Sequence, residues 1–397
     1  MAQTYKFGNG TWATKKGSTL AYSDTNNAFK PLPFSFERNS IGTRVNKEGL
    51  IEVVGNDIPR IDYTDSTEGA LLLENSATNL ITYSEDFSQW TLASQGNGST
   101  PILTSNYGTY LGLNYSRIQF SRASVSTSNI STIRGNDFTQ STNTFSIYIK
   151  SNTSNVNIDF RLGSSIVSYE ITNNWKRIEF NGSDFYRSYF GLIGNDSDLS
   201  ADLSIVAAQA ESGNVATSYI PSNGSTVQRA AETCNGSGNS EVFNDSEGVL
   251  MVEGALLSEL INDARISISD GSSVENRITF RYLDDNEFNA QIGFTNGFSE
   301  TVTLNSIVDY NKIALVYNST NASIFVNGFK VATNTMSALS GLSQFQFNRF
   351  GGSSNDFYGK TKEIGYYDTT LTDEELETLT SYRSLNEMVT ELNLNAL

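Results

Sequence analysis

Residues 312–331, KIALVYNSTNASIFVNGFKV, decide the fold of the C-terminal part of the chain. Residues 312–317 and 322–326 are rich in apolar, β-branched and aromatic side chains, which suit the pleated surface of a sheet, so each segment predicts a strand. Asn327 and Gly328 come next, and this dipeptide predicts a tight hairpin turn of the mirror-image type, in which both central residues need positive φ. The stretch therefore predicts consecutive antiparallel strands.

The composition of the whole chain agrees with an all-β protein. Its 397 residues are enough for two or three domains that each bury a core. Aromatic residues are abundant, with 19 Tyr and 23 Phe, while 31 Gly and frequent Asn, Ser and Thr supply turns between strands. The net charge of −17 and the lack of a basic run argue against binding to nucleic acid or to a membrane, since both attract clustered Lys and Arg.

Two residue counts restrict the chemistry. Cys234 is the only cysteine, so an intrachain disulfide cannot form, and without histidine the usual zinc sites and histidine-based catalytic triads are excluded. Residues 1–10 contain no apolar stretch of signal-peptide length, and no window approaches the roughly 20 apolar residues of a membrane span. We therefore expect a soluble protein that is made in the cytoplasm.

Alternation of apolar and polar residues dominates residues 80–230. In residues 144–150, TFSIYIK, every second side chain is apolar, as in a half-buried strand. Five further segments are strand-like: 117–120, 157–162, 168–171, 175–180 and 203–207. At least six strands joined by short loops of Asn, Ser and Gly predict a jelly-roll sandwich.

A series of short polar and aromatic signatures runs from Phe36 to Trp90. In order, they are FER (36–38), TRVN (43–46), GLIE (49–52), PRIDY (59–63), LLLE (71–74) and TNL (78–80). This order resembles the segment of bacteriophage tail and fibre proteins that leads into a small carbohydrate-binding-like β-domain. Segments between residues 209 and 230 are similar to the last strand and exit of those modules. The resemblance therefore implies one carbohydrate-binding-like jelly roll over residues 80–230.

Residues 247–382 resemble the laminin-G or concanavalin-A-like sandwich. The resemblance is carried by the strand pair quoted above and by a closing strand at 363–367, which is followed by LTDEEL at 371–376. In this segment Thr372 predicts the N-cap of a short helix, and Glu375 is placed to reach back to it in a capping box.

These assignments give an all-β fold class with two antiparallel β-sandwich domains in tandem. The parts are an N-terminal arm (1–30), a β-hairpin connector (31–79), the jelly roll (80–230), a linker (231–246), the laminin-G-like sandwich (247–382) and a C-terminal amphipathic helix (383–397). The arm is expected to dock on the virion, and the alternative is an N-terminal strand or a mobile tail. The helix packs either on its own domain or against another subunit.

Sugar recognition needs aromatic faces beside hydrogen-bonding groups. The residues considered for this role are Trp90, Trp175, Tyr107, Tyr110, Tyr186, Tyr189 and Tyr358. The resemblance to phage modules places Trp90 and Trp175 in a core. The candidate glycan-binding residues are Tyr107, Tyr110 and Tyr358, because they fall in predicted loops.

Acidic residues near predicted loop ends are the candidate calcium ligands. Laminin-G-like domains bind calcium through oxygen atoms at such loops, and here Asp270, Asp284 and Asp285 occupy them. The sequence favours a solvated turn for these aspartates and a protein without a cofactor, and calcium binding is the alternative.

The sequence lacks the paired carboxylates that sugar hydrolysis requires. The glycosidase branch of the concanavalin-A-like fold carries acidic residues alternating along one strand, and no such run occurs here. Glu363 and Asp368 flank a strand in a way that suits sheet edges. The sequence therefore predicts a protein that is not an enzyme.

Together the resemblances imply a bacteriophage virion structural protein that is made in the host cytoplasm. It would be a surface appendage, namely a tail fibre, a head fibre or a capsid decoration. Its partners would be other virion proteins and a host cell-surface glycan, and phage fibres with such modules are commonly homotrimers. The alternatives are a ligand-free neck or collar component, a polysaccharide depolymerase and a bacterial adhesin, although an adhesin would normally carry a secretion signal.

Overall fold

The computed structural model describes residues 3–162, 165–295, 297–350 and 355–391. Strands dominate these residues, and the described α-helices are the short α1 (Asp373–Thr380) and α2 (Leu385–Glu391). The predicted all-β class and short C-terminal helix are confirmed; residues 392–397 of the predicted helix lie outside the described part. Neither described helix has the length and apolar character needed to cross a membrane.

The strands are numbered in chain order. The first nine are β1 (Tyr5–Gly8), β2 (Thr14–Lys15), β3 (Ser18–Ser23), β4 (Lys30–Glu37), β5 (Gly42–Val45), β6 (Ile51–Val54), β7 (Arg60–Asp62), β8 (Ala70–Leu73) and β9 (Ala77–Asn79). The next eight are β10 (Thr91–Gln95), β11 (Gly98–Tyr110), β12 (Leu113–Arg122), β13 (Ile130–Ser151), β14 (Val156–Leu162), β15 (Ser165–Ile171), β16 (Lys176–Leu192) and β17 (Ser200–Ser212). The last twelve are β18 (Val227–Arg229), β19 (Thr233–Ser237), β20 (Gly248–Leu256), β21 (Ala264–Ser269), β22 (Arg277–Tyr282), β23 (Glu287–Ile292), β24 (Phe298–Thr303), β25 (Asn311–Tyr317), β26 (Asn321–Val326), β27 (Phe329–Thr335), β28 (Gln344–Gln346) and β29 (Gly359–Tyr367).

Strands β10–β17 fold into a jelly roll with two layers. The long strand β13 serves both layers, because residues 130–134 pair with β10 whereas residues 143–151 pair with β17. The front layer contains β11, β12, β17 and the adjoining halves of β13 and β16. The back layer contains β10, the other halves of β13 and β16, β14 and β15. The core between the layers includes Phe120, Phe145, Phe160 and Phe190.

The other large sheet joins 17 strands into the terminal sandwich, so named because both ends of the chain build it. One side follows the order β3-β4-β19-β28-β21-β22-β23-β24. The other side follows the order β7-β8-β29-β20-β25-β26-β27. Strand β1 pairs with both β29 and β3 and so links the two sides.

In place of the predicted N-terminal arm, residues 5–30 supply strands to the terminal sandwich. Strand β1 pairs antiparallel with β29, and β3 pairs antiparallel with β4. Tyr5 and Phe7 are buried, and the Phe7 ring lies 5.0 Å from the Phe34 ring, centroid to centroid. The physical reason is burial: aromatic side chains that alternate with polar ones along a strand fill the core of the sandwich.

The jelly roll is inserted into the terminal sandwich. Strands β9 and β18 pair at the point of insertion, with Ala77 opposite Arg229. Residues 31–79 and 231–246, predicted as a connector and a linker, supply β4, β7, β8 and β19 to the 17-stranded sheet. The two sandwiches are therefore nested in the sequence instead of following one another. This order follows from pairings between distant segments, which local sequence patterns do not reveal.

Buried charged side chains connect the chain segments that meet at the point of insertion. Arg60 lies between two carboxylates, with Nη2 2.7 Å from Glu74 Oε2 and Nε 2.8 Å from Glu232 Oε1. Arg38 also donates to Glu232 at 2.7 Å, and Arg229 pairs with Glu74 at 2.9 Å. All five residues are buried. The network ties residues that precede the jelly roll to residues that follow it.

Two local predictions are confirmed. Asn327 and Gly328 have φ angles of 49° and 89°, as the mirror-image hairpin turn requires. The Thr372 hydroxyl accepts a hydrogen bond from the Glu375 N–H at 3.3 Å, and the Glu375 carboxylate accepts one from the Thr372 N–H at 2.8 Å. Both halves of the predicted capping box are therefore present.

The C-terminal helix contacts its own sandwich. Lys312 of β25 donates to the Glu387 carboxylate of α2 at 2.8 Å. Arg383, just before the helix, lies 3.5 Å from Glu363 of β29. These ion pairs favour the intramolecular alternative for the described part of the helix.

Candidate functional site

Five aromatic rings form a continuous line across the outer face of the front layer. At its centre, the rings of Tyr110 and Trp175 stack with centroids 4.2 Å apart and planes 9° apart. Tyr115 contacts Trp175 edge-on at 5.2 Å, and Tyr107 contacts Tyr115 at 6.0 Å. At the other end, the Tyr148 ring lies 5.9 Å from the Tyr110 ring. We call these five residues the aromatic run.

Strand alternation directs these rings outward. Ile147 and Ile149 of β13 are buried in the jelly-roll core, so Tyr148 between them lies on the opposite face. On β12, Ile118 belongs to the same core, so Tyr115, three residues earlier, points to the outer face. Neighbouring strands of one layer therefore place their aromatic side chains side by side.

A tight turn between β11 and β12 helps to build the aromatic run. Leu111 and Gly112 form the turn next to Tyr110, with φ angles of 50° and 82°. Further along the hairpin, Gly108 lies opposite Tyr115. A Cβ atom on Gly108 would lie 2.6 Å from the Tyr115 hydroxyl oxygen. Glycine at this position therefore leaves the space that the Tyr115 side chain occupies.

Hydrogen-bonding groups flank the exposed end of the aromatic run. The Arg117 guanidinium lies 5.2 Å from the Tyr107 ring centroid, and its Nε donates to Asp202 Oδ1 at 2.8 Å. Asn152 and Gln119 also donate to Asp202, at 2.9 Å and 3.2 Å. The hydrogen bond from Arg117 lowers the pKa of Asp202. The aromatic rings thus lie beside an ionised carboxylate and three donor side chains.

The aromatic run ends at a cleft of about 350 Å³. Tyr148 lines the cleft, which lies between the jelly roll, the β5–β6 hairpin and the terminal sandwich. Its polar lining includes Arg44, Asp62, Arg177, Thr217 and Lys360. A pocket with one aromatic wall and several polar groups has the general character of a small-ligand site.

Arg177 is fixed at the mouth of the cleft. Its Nη2 atom donates to the Ser146 hydroxyl at 2.9 Å and to the Thr217 carbonyl at 2.8 Å. Its guanidinium carbon lies 5.8 Å from the Tyr148 ring centroid, a cation–π distance. Burial raises the pKa of Tyr148, so its hydroxyl is protonated at neutral pH. This part of the cleft therefore offers a positive charge and a neutral hydroxyl.

Lys360 contributes a second positive charge on the side of the terminal sandwich. Its Nζ atom lies 3.4 Å from Asp62 Oδ1 and also pairs with Asp65. Burial alone would lower the pKa of Lys360, but these two carboxylates outweigh it and raise the pKa. The lysine is therefore charged at neutral pH.

The structure brings together two of the three predicted glycan-binding residues. Tyr107 and Tyr110 both belong to the aromatic run, although they lie on strand β11 and not in a loop. Tyr358 lies elsewhere, just before β29, and its hydroxyl is 3.3 Å from Asp356. It contributes nothing to the aromatic run.

The two tryptophans predicted as core have different environments. Trp90 is buried in the jelly-roll core, and its indole N–H donates to the Tyr83 carbonyl at 2.9 Å. Trp175, in contrast, is half-buried on the outer face. Strand alternation predicts this environment. Ile178 and Phe180 point into the core, so the odd-numbered residues of the same segment, including Trp175, point outward. The same rule identifies Tyr148, which the sequence reasoning missed.

The predicted calcium ligands lie in separate loops. The Asp270 carboxylate accepts hydrogen bonds from the N–H groups of Ser272 and Ser273 at 2.8 Å and 2.7 Å. Asp284 accepts one from Asn262 at 3.3 Å, and Asp285 follows it with a φ of 55°. Over the described ranges, no three acidic, cysteine or histidine side chains come close enough to hold a metal ion.

Comparison with known proteins gives one family match. Residues 258–377 match the laminin-G family model described as the concanavalin A-like lectin/glucanases superfamily. No curated protein matches the chain.

Several solved structures are similar to parts of the chain. The CBM40 module of the Ruminococcus gnavus IT-sialidase is 19% identical, with 37% of this chain and 94% of that chain covered and a TM-score of 0.31. Domain 4 of the arabinanase AbnA from Geobacillus stearothermophilus, solved with arabinotriose, is 10% identical, with 38% and 73% covered and a TM-score of 0.31. The Trypanosoma rangeli sialidase with sialic acid is 10% identical, with 91% and 66% covered and a TM-score of 0.30.

The family match falls within the terminal sandwich and covers β21–β29 and most of α1. It includes β25, β26 and β27, which contain the strand pair and returning strand on which the sequence resemblance rests. Residues 258–377 are therefore similar to laminin-G-type, concanavalin A-like lectin domains.

Proposed function

We propose that this protein is a glycan-binding surface appendage of a bacteriophage virion, and that the aromatic run is its sugar-binding surface. The observation that carries the binding role is the line of five rings that leads into a polar cleft. Aromatic rings stack on the apolar faces of sugar rings, while neighbouring polar groups bind the hydroxyls. A saccharide chain of several units would lie along the run.

Rigid packing of the rings supports this role. Trp175 and Tyr110 hold each other by stacking, and Lys150 lies 5.6 Å from the Trp175 ring centroid. Tyr107 at the open end exposes 48% of its surface. Because the rings are already ordered, binding would require little further loss of side-chain freedom.

The phage virion role rests on the sequence signatures between residues 36 and 90. We propose that the protein is made in the host cytoplasm, assembles with other virion proteins and forms a homo-oligomer, as the resemblance to phage fibres implies. Several copies on one particle would raise the effective concentration of each further contact, so weak individual sites would give firm attachment. A tail fibre, a head fibre and a capsid decoration all fit this proposal.

We also propose that the protein is not an enzyme. Glu253 and Glu363 lie opposite each other on β20 and β29, but both are buried beneath charged partners. Lys312 and Lys362 lie 4.0 Å and 3.7 Å from Glu253. These pairs suit a structural role, because a glycosidase needs its two carboxylates on either side of a bound sugar.

Binding to a glycan array tests the sugar-binding role. We expect the protein to bind at least one glycan or bacterial surface polysaccharide, and Trp175→Ala to weaken that binding by about tenfold, the upper range for one aromatic contact. Phe29→Ala removes an aromatic side chain that is 77% exposed and contacts Tyr22 of the terminal sandwich, so it serves as the control. Equal binding by the Trp175 and Phe29 variants would refute the assignment.

The proposed role in the virion and the alternative depolymerase activity are tested by separate experiments. Antibodies against residues 247–382 should label projecting fibres or the capsid surface of intact particles in negative-stain images. Absence of label, with the protein present by mass spectrometry, would favour a buried neck or collar component. Release of reducing ends from a bound polysaccharide would support the depolymerase instead.

A further inference from the structure

A second cavity lies on the outer face of the front layer, beyond the Tyr107 end of the aromatic run. Its volume is about 490 Å³. Ile102, Gln119 and Asp202 lie side by side across β11, β12 and β17 in the strand register, and all three line the cavity. Each is next in sequence to a residue that packs in or against the jelly-roll core, so alternation places it on the outer face.

Uncharged polar groups form most of the lining of this cavity. The hydroxyl-bearing residues of the lining are all exposed: Ser99, Thr100, Ser121, Thr153 and Ser200. We call the space between them the hydroxyl-lined cavity. Ile102, which exposes 63% of its surface, supplies an apolar wall. Hydroxyl and amide groups beside an apolar surface match the hydroxyls and the apolar face of a sugar ring.

Asp202 connects the hydroxyl-lined cavity to the aromatic run. Its Oδ1 accepts hydrogen bonds from Arg117 Nε at 2.8 Å and from Asn152 at 2.9 Å. Its Oδ2 accepts one from Gln119 at 3.2 Å and another from Arg117 Nη2. The Arg117 guanidinium in turn lies 5.2 Å from the Tyr107 ring centroid. Asp202 therefore holds one side chain of the cavity and one neighbour of the aromatic run in fixed positions.

Gln119 keeps a polar atom for a ligand. Its amide nitrogen donates to Asp202, while no group of the described residues donates to its Oε1 atom. The amide is therefore oriented before a ligand binds, which reduces the side-chain freedom that binding would cost. A sugar hydroxyl is a suitable donor to this oxygen.

The charges of this surface are balanced. Asp202 is the one charged side chain among the described residues that line the cavity, and Arg117 forms an ion pair with it. An anionic polymer would therefore find no unpaired positive charge in the lining, and the net charge of −17 on the whole chain would repel it. The lining suits a ligand that is polar but uncharged.

The length of β12 determines which ligands could reach both regions. Tyr115 belongs to the aromatic run, and Ser121 of the hydroxyl-lined cavity is six residues further along the same strand. Six residues of a strand extend over about 20 Å, at about 3.4 Å per residue. A monosaccharide or disaccharide on the rings is too short to span this distance, whereas a longer chain would reach the cavity.

On the basis of the proposed sugar-binding role of the aromatic run, we propose that the hydroxyl-lined cavity is a further subsite of the same surface, and that it selects neutral polysaccharides long enough to reach it. Gln119 and the hydroxyl groups would bind sugar hydroxyls, and Ile102 would contact the apolar face of a sugar ring. Because no net charge takes part, binding should be insensitive to salt.

The first experiment measures binding of the full-length protein to immobilised dextran, mannan and galactomannan, which are neutral, and to polygalacturonate, which is anionic. We expect at least one neutral polymer to bind, with an affinity that changes by less than about twofold between about 50 and 300 mM salt, since salt screens only charged groups. Binding to polygalacturonate alone, binding that salt abolishes, or binding to none of the polymers would overturn the proposal.

A length series tests the subsite itself. Oligosaccharides prepared from the bound polymer, from the disaccharide upward, compete with the polymer for the protein. Affinity should rise when a chain becomes long enough to span about 20 Å of the front layer. In Ile102→Ala/Gln119→Ala, long chains should lose about fivefold in affinity relative to the disaccharide, as expected for about one hydrogen bond and one apolar contact. Equal weakening at every length would overturn the proposal.

Leu260→Ala/Gln95→Ala is the matched control. It removes the same two kinds of side chain, one from a residue between β20 and β21 that is also 63% exposed and one from an exposed residue of β10 in the back layer. This variant should bind oligosaccharides of every length as the unmodified protein does. The same loss for long chains in both double variants would overturn the proposal. Circular dichroism of each variant shows whether the fold is retained.

Trp175→Ala separates a failure of the subsite from a failure of the aromatic run. It should weaken binding of every oligosaccharide, including the disaccharide, because it removes a ring of the aromatic run. If it does so while Ile102→Ala/Gln119→Ala leaves the dependence on length unchanged, the subsite is refuted and the sugar-binding role of the aromatic run stands. If Trp175→Ala has no effect at any length, the aromatic run is refuted together with the subsite.

Discussion

Arg60 and Glu232 form a fully buried two-point ion pair where the chain returns from the jelly roll to the terminal sandwich. The Glu232 carboxylate also accepts hydrogen bonds from Arg38 at 2.7 Å and from the Glu74 N–H at 2.9 Å. One side chain thereby joins three segments that are distant in sequence. The position of the jelly roll relative to the terminal sandwich depends on this junction.

Replacement of Glu232 should be strongly destabilising. Glu232→Gln keeps the shape but leaves Arg38 and Arg60 with less compensation for their buried charges, and breaking a buried pair in this way costs about 3–5 kcal/mol. Denaturant-induced unfolding measures the loss. The control is Glu52→Gln, whose pair with Arg44 is partly exposed and should contribute at most about 1 kcal/mol. Similar losses in both variants would contradict the role of the junction.

The buried carboxyl of Glu363 should make stability depend on pH. Burial, together with the charge of Glu253, raises the pKa of Glu363 from 4.5 to about 7. The folded protein therefore binds this proton more tightly than the unfolded chain, and the resulting stabilisation is present below pH 4.5 and lost as the pH rises through about 7. Glu363→Gln should flatten stability between these two values. The exposed Glu259→Gln is the control and should leave the slope unchanged.

Phe7 tests the contribution of the N-terminal segment to the terminal sandwich. Phe7→Ala should reduce the free energy of unfolding by about 3–5 kcal/mol, because it opens a cavity among the aromatic rings around Phe34. Phe29→Ala, at an exposed position of the same segment, should change it by no more than about 0.5 kcal/mol. Equal stability of the two variants would mean that residues 1–30 form a dispensable arm.

Calcium should not stabilise the protein. The Asp270 carboxylate is occupied by backbone N–H groups of its own turn, so its lone pairs already have partners. We expect the melting temperature to be the same with millimolar CaCl₂ and with EDTA. A rise on addition of calcium that Asp284→Asn abolishes would show a metal site at these loops.

The sequence predicted several local elements correctly but not the order of the domains. Alternation and turn chemistry identified β13, the Asn327-Gly328 hairpin and the capping box at Thr372, all of which depend on neighbouring residues. The nesting of the jelly roll depends instead on contacts such as the hydrogen bond from the Thr4 hydroxyl to the Tyr366 carbonyl, 362 residues away. The composition and the hydrophobic periodicity of a sequence do not show which distant segments contact each other.

The candidate site was also predictable only in part, because its residues come from strands that are distant in sequence. Tyr107 and Tyr110 were chosen because they fall in predicted loops, whereas their partner Trp175 was assigned to the core by the resemblance to phage modules. Alternation alone places Trp175 and Tyr148 outward. Which outward-facing side chains on different strands touch depends on strand order, and the front layer becomes visible only when β11 is seen next to β12 and β17.

The stack between Tyr110 and Trp175 should be measurable as a coupling energy. In a double-mutant cycle with Tyr110→Ala and Trp175→Ala, the double variant should lose less stability than the sum of the two single variants. The difference should be about 0.5–1.5 kcal/mol, the usual value of an aromatic pair. The same cycle with Tyr110 and Phe29, which lie in different sandwiches, should be additive. Tyr110→Phe keeps the ring and should retain both the coupling and glycan binding. If the cycle showed no coupling while Trp175→Ala still abolished binding, Trp175 would act alone and the aromatic run would not be a single surface.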